Sequence, residues 1–133
     1  MRLSPCPCTS GKAYKACCEP YLNRSITAKT VKQLMRSRYS AFAKGGYGDY
    51  LFETWHPDYS TGLAATSLSV KIRNWQGLTI LDCRQQGDEG VVQFEARFID
   101  DEGKPGLHRE VSRFVRVKGK WLYLNAKQDA EIA

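Results

Sequence analysis

The spacing of hydrophobic positions divides this chain into three stretches. From Thr27 to about Lys44 the apolar residues Val31, Leu34, Met35, Tyr39, Phe42 and Ala43 recur at helical intervals, which predicts an amphipathic helix ended by Gly45-Gly46. Asp49 can cap a second, shorter helix through Tyr50, Leu51, Phe52 and Trp55 that Pro57 stops, and residues 66–74 suggest a third. After Gly77 the period falls to two. Segments 78–86, 89–100, 108–118 and 121–127 read as strands, parted by Gly87-Asp88, by the stretch 101–107 and by Gly119-Lys120. These connections are short enough for antiparallel hairpins. In the second strand Val92, Phe94, Ala96 and Phe98 share one face, which would pack on helices. The opposite face, with Val91, Gln93, Glu95, Arg97 and Ile99, is mixed and offers a dimer surface. Helices followed by a four-stranded meander indicate an α+β fold with the helices on one side of a curved antiparallel sheet.

Residues 1–22 show neither period. They are dense in Pro, Gly, Ser and Cys and cannot bury enough apolar surface to fold alone. A short helix is expected from about Lys12 to Cys18, with Ser10 as N-cap and Pro20 as its stop. Residues 23–28 look like a connector, so the expected division is a small unit at 1–22 and a main domain at 27–133. A chain of 133 residues with 42% hydrophobic content has room for one ordinary core plus such an appendage. No apolar run approaches the ~18 to 20 residues of a membrane span, and no basic start precedes an apolar run with a cleavage site. The expectation is a cytoplasmic protein without membrane insertion.

What orders residues 1–22 is suggested by their cysteines. Four of the five, Cys6, Cys8, Cys17 and Cys18, form two pairs around an eight-residue loop, while Cys83 stands apart in an apolar stretch and reads as a small buried residue. This is an awkward set for a secreted disulfide framework and suits metal binding in a reducing compartment. Four thiolates make a closed tetrahedral site for one structural Zn²⁺, whose binding energy replaces the missing core. By spacing alone, a disulfide or a redox role stays open, although a bond between the neighbours Cys17 and Cys18 would be strained. If the ion is structural, losing it should disorder residues 1–22 and spare the main domain. The net charge of +6 is concentrated in residues 1–44, with nine Lys/Arg against the single acid Glu19. A zinc tetrathiolate carries −2 and would lower the total to about +4.

The string CPCTSGKAYKACC at 6–18 resembles the SEC-C motif, a short zinc-binding module also found at the C-terminal tail of the SecA preprotein translocase. The ligand positions correspond to Cys6, Cys8, Cys17 and Cys18, with Ser10, Gly11, Lys12, Tyr14 and Lys15 in register and Thr9 where a Gly is common. Beyond it, LMRSRYSAFA (34–43), TWHP (54–57) and RFVRVKGKWLYL (113–124) resemble the bacterial YchJ family over nearly the whole chain. The resemblance implies an NTF2-like (cystatin-like) domain, a curved sheet wrapped by helices around a conical pocket, behind an N-terminal zinc knuckle. Many members carry a second SEC-C motif at the C-terminus, and none occurs in the residues up to Ala133.

Candidate binding groups are few. Lys12, Tyr14 and Lys15 lie in the cysteine loop and would present a basic surface with one ring, fitted to phosphates, a stacked base or an acidic tail. Arg36 and Arg38 point about 200° apart on the main helix, and one is expected to reach the sheet rim or a carboxylate such as Glu95 or Glu110. His56 closes the second helix beside Trp55, and His108 reads as a solvated turn residue. Asp100, Asp101 and Glu102 read as a solvated turn. No GxSxG, HExxH or Gly-rich phosphate loop occurs, and the sequence points to no catalytic residue.

The leading expectation is therefore a noncatalytic adaptor whose knuckle contacts a protein partner, with the SecA resemblance implying one in export or translation. An alternative is a small-molecule binder or enzyme using the pocket, with Arg36, Arg38, His56, Glu95 and Arg113 as its polar groups. A further alternative is nucleic-acid or ribosome binding through the basic first third.

Overall fold

Four strands follow one another in space as they do in sequence: β1 (Asn74–Gln86), β2 (Glu89–Ile99), β3 (Pro105–Val117) and β4 (Lys120–Ile132), all antiparallel, in one sheet. The computed structural model describes residues 4–71 and 73–132, with backbone alone for 128–132. The predicted meander is present, with β1, β3 and β4 longer than the periodicity suggests. β1 begins at Asn74, inside the segment read as a third helix, and β3 begins at Pro105. That third helix is one turn, α4 (Ala65–Leu68).

The long helix is α2 (Val31–Lys44). It starts at Val31 because Thr30 is its N-cap: Gln33 N donates to Thr30 Oγ1 at 3.1 Å, while Lys29 N donates to Gln33 Oε1 at 2.7 Å, a near relative of the capping box. It ends at Gly45, whose φ of 74° is open to glycine at little cost. The second helix, α3 (Gly48–Glu53), follows within a few residues and has Asp49 in its first turn, with Tyr47 and not Asp49 at the N-cap.

Residues 14–22 depart most from expectation. A single 3₁₀ turn at Tyr14–Ala16 is followed by the one-turn helix α1 (Glu19–Leu22). Pro20 stands in the first turn of α1, where its missing N–H costs nothing, and so starts a helix that it was expected to end.

The core lies between α2 and the inner face of the sheet. Val92, Phe94, Ala96 and Phe98 of β2 are buried, as their alternation predicted, with Leu78, Phe114 and Trp121, and Val31, Leu34, Met35 and Tyr39 of α2 cover them. Cys6, Cys8 and Cys18 belong to this same core and are fully buried. The N-terminal unit is thus packed into the main fold. Cys83 is half-buried at the margin of that core.

Each edge strand of the sheet is pinned at one point by a passing loop. At β1, Leu78 N donates to Thr9 Oγ1 at 3.0 Å, and the Thr9 hydroxyl faces Leu78 O at 3.0 Å. At β4, Tyr123 N donates to Thr54 O at 2.7 Å and His56 N donates to Tyr123 O at 2.8 Å. Such contacts satisfy edge groups that would otherwise template aggregation.

The junction of α3 and α4 is tight. A methyl group on Gly48 would lie 1.7 Å from Ala65 O and 2.7 Å from Ser69 N, backbone atoms that move only if α4 moves. Gly48→Ala is expected to lower the unfolding free energy by about 2 kcal/mol or more, from overpacking. Urea denaturation measures this, and an unchanged midpoint would contradict the packing described.

Candidate functional site

The cysteine loop is built by short backbone bonds. Cys6 N donates to Lys12 O and Thr9 N to Cys6 O, both at 3.0 Å, and Pro5 and Ala13 form a bridge. Turning the chain within this loop puts Thr9 at φ 56° and Gly11 at φ 91°. Thr9 occupies a conformation that β-branched residues avoid, and its hydroxyl ties the loop to β1. The 3₁₀ turn then returns Cys17 and Cys18 to the first pair.

One sulfur from each of Cys6, Cys8, Cys17 and Cys18 lies within 4.8 Å of the others. Cys8 Sγ and Cys17 Sγ are 3.6 Å apart, and Cys17 Sγ and Cys18 Sγ 3.9 Å. All are free thiols. Hydrogen bonds with Cys18 and Cys6 hold the Cys8 thiol far below its ordinary pKa, while those with Cys6 and Cys8 push Cys18 up. Four soft donors so close together form the donor set of a metal site.

Helix α2 supplies the surroundings of that cluster. Arg36 Nη1 donates to Cys8 O at 3.1 Å and lies 3.5 Å from Cys8 Sγ. Ser40 Oγ lies 3.6 Å from Cys6 Sγ, and Ser10 Oγ 3.2 Å from Cys17 Sγ. Arg36, expected among the polar groups of the pocket, instead serves the cysteine loop. Of the candidate partner contacts, Lys12 and Lys15 are exposed. Tyr14 is half-buried, with its hydroxyl 3.4 Å from Tyr47 Oη and Lys44 Nζ 4.7 Å above its ring. Its ring is committed to packing.

A second site opens between α2 and the inner face of the sheet. A cavity of about 360 Å³ is lined by Met35, Tyr39, Phe42, Trp55, Trp75, Phe94 and Ala96, with Arg38, Arg73, His108, Glu110, Ser112 and Tyr123 as its polar members. Arg38 is only 3% exposed. Its Nη1 donates to Leu51 O at 2.8 Å and Thr54 Oγ1 at 2.6 Å. Its guanidinium carbon lies 4.7 Å from the centre of the Tyr123 ring and 5.0 Å from that of Trp55. Burial lowers its pKa to about 10, which leaves it a cation at neutral pH. Among the described residues no carboxylate comes within 4 Å of it, so the expected ion pair with Glu95 or Glu110 does not form.

Glu110 faces the same cavity from β3, its side chain 14% exposed. His108 Nε2 lies 3.0 Å from Oε1; Tyr123 Oη donates to Oε2 at 3.1 Å, and Ser112 Oγ also donates to Oε2. Burial acts to raise its pKa, yet hydrogen bonds from His108 and Ser112 prevail and hold it below the ordinary carboxylate value. Glu110 is a fixed negative charge.

His108 therefore corrects its reading as a solvated turn residue. It sits within β3, 18% exposed at its side chain, with Phe94 and Trp75 rings 6.1 and 6.3 Å from its own. Three other expected pocket groups lie elsewhere. Glu95 pairs with Arg109 across the outer face at 2.6 Å, Arg113 Nε donates to Asn125 Oδ1 at 2.9 Å, and His56 packs on Tyr59 beside Asp58. Only Arg38 of the five lines the cavity. His108, Glu110 and Ser112 were nevertheless detectable: counting back by two from the core residue Phe114 puts all three on the buried face of β3.

Comparison with known proteins follows the same division. Residues 4–20 match the SEC-C motif, and residues 30–126 match the family described as YchJ, middle NTF2-like domain. A UPF0225 protein from Pectobacterium carotovorum is 44% identical over 126 residues, covering 90% of this chain and 81% of that one. The UPF0225 protein YchJ from Shigella dysenteriae is 40% identical over 90% of this chain and 80% of its own. The solution structure of a SEC-C motif containing protein from Rhodopseudomonas palustris superposes with a TM-score of 0.83 at 33% identity, covering 92% of this chain and 96% of that one. Among the described residues no helix is long and apolar enough to cross a membrane.

Two outcomes follow from this geometry. Because three of the cysteines are core residues, Cys8→Ser should abolish metal binding and lower the calorimetric melting temperature of the whole protein by about 10 °C or more. A main transition left in place would restore the independent appendage. Glu110 has a depressed folded pKa, so its stabilisation is complete above its ordinary value of 4.5 and is lost as pH falls through the folded value. The stability gap between wild type and Glu110→Gln should be about 2 kcal/mol near neutrality and close in acid. A gap that stays constant into the acid range would contradict it.

Proposed function

The chain belongs to the YchJ (UPF0225) family, and we propose that it is a small-molecule-binding protein whose working site is the cavity beneath α2. One zinc ion at the cysteine cluster would act as a structural brace for that helix. The observation that carries this reading is the convergence of two oppositely charged groups, the buried Arg38 and the largely buried Glu110, on a cavity walled mainly by aromatic and apolar side chains. Desolvating charges is costly, and a mainly apolar concavity with a few fixed polar groups is the usual form of a ligand site.

Zinc suits the cysteine set. Tetrahedral Zn–S bonds of about 2.3 Å put sulfurs about 3.8 Å apart, which compares with the 3.6 and 3.9 Å seen here. Four thiolates fill the coordination sphere, so the ion would shape the protein without reacting, in a reducing compartment such as the cytoplasm. Glu110, already accepting from several donors, serves binding better than proton abstraction.

A second reading, contact with an acidic protein or nucleic acid through the knuckle, is favoured by one feature. Lys12, Lys32 and Arg36, with Ser10 and Gln33, line a groove of about 440 Å³ beside Cys17. A protein partner in export or translation rests on the likeness to the SecA tail. Retention of every captured partner by Lys12→Glu with Lys15→Glu would remove this reading.

The cavity is tested by screening a fragment library by NMR against the zinc-loaded protein. Hits should shift Trp55, Trp75 and Ser112 resonances, and Ala96→Leu, which fills cavity space, should weaken them about tenfold or more. Hits confined to the cysteine loop would contradict the proposal. Metal analysis of protein purified without added metal should give about one equivalent of zinc, and a metal-free folded protein would overturn the brace.

A further inference from the structure

Arg38 has five N–H donors, and its hydrogen bonds among the described residues, to Leu51 O and Thr54 Oγ1, both come from Nη1. Among the described residues the Nε and Nη2 donors meet no acceptor, although the side chain is 3% exposed and lines the cavity. These donors open onto the cavity, where the aromatic faces of Trp55 and Tyr123 supply only part of what an acceptor would. Glu110 does not supply the rest, because it makes no ion pair with Arg38 and its oxygens are taken by His108, Ser112 and Tyr123.

We infer that the cavity takes a flat aromatic or unsaturated molecule carrying a single anionic group, with the anion on Arg38 and the ring among Trp55, Trp75 and Phe94. The inference rests on the cavity being the binding site and adds the charge and shape of what enters it. Each part of the class has its own cause. The guanidinium fork matches a carboxylate or similar planar oxyanion. Aromatic walls favour a ring by stacking and edge contacts. The charge of Glu110 repels a second anionic group placed near it, and its oxygens, already accepting from His108, Ser112 and Tyr123, have little left to offer a ligand ammonium group. A volume of about 360 Å³ is near the lower end for ligand sites, which keeps the molecule small.

The test is a charge series on constant rings, titrated into the zinc-loaded full chain with NMR detection: benzoate, benzamide and benzylamine, then naphthoate, naphthamide and naphthylmethylamine. The acid of each set should bind about ten- to a hundredfold more tightly than its amide and shift Trp55 and Trp75 resonances. Arg38→Met should bring that ratio close to one. The series itself needs only wild-type protein, so a poorly folded variant leaves the outcome decided. Equal binding of the three forms, or preference for the amine, overturns the inferred charge while leaving the cavity as the site. No shift of Trp55, Trp75 or Ser112 by any of the six overturns the inference and the cavity reading together.

Discussion

Arg36 and Arg38 leave the same helix about 200° apart, one to Cys8 and the other into the cavity against Leu51 O and Thr54. Because α2 is continuous between its Thr30 cap and Gly45, a shift at one of these contacts is felt at the other. The cysteine cluster also holds Ser40 near Cys6, so its grip spans more than one turn. A metal at this cluster would fix the rotation and height of α2 over the sheet. The position of Arg38 in the cavity depends on both.

That dependence matters because Arg38 is expensive to bury. A guanidinium without a carboxylate partner remains only where its surroundings over-determine it, here through a backbone carbonyl, a threonine hydroxyl and two aromatic faces. Glu110 is held with similar firmness through donors on β3 and β4. The cavity therefore presents two fixed charges of opposite sign on separate elements. Tyr123 links them, stacking under Arg38 through its ring and reaching Glu110 through its hydroxyl. Preorganised charges of this kind lose little entropy when a ligand arrives.

Much of the scaffold was legible because it follows from periodicity. The α2 stripe, the buried face of β2 and the hairpin turns were all read from spacing, and the four cysteines from their grouping. The cavity was harder to see. Arg36 and Arg38 looked alike in sequence, and their fates differ because one meets the cysteine loop, a contact that no local pattern encodes. His108 reads as a turn residue because the alternating pattern of β3 starts only at 108, whereas pairing with β2 carries the strand back to Pro105. Glu95 and Arg113 are charged residues within apolar strands, which suggests a pocket, but strand alternation places both on the outer face, where Arg109 and Asn125 meet them. The division of the chain between residues 22 and 27 rests on composition, which shows that residues 1–22 lack a core of their own but not that three cysteines join the main one.

The coupling of the metal site to the cavity through α2 is tested most directly by amide hydrogen exchange on the protein before and after metal removal by a chelator. Loss of protection should extend along α2, from Leu34 through Ser40, while the β2 amides keep most of theirs. Loss confined to residues 4–22, with α2 unchanged, would contradict the account.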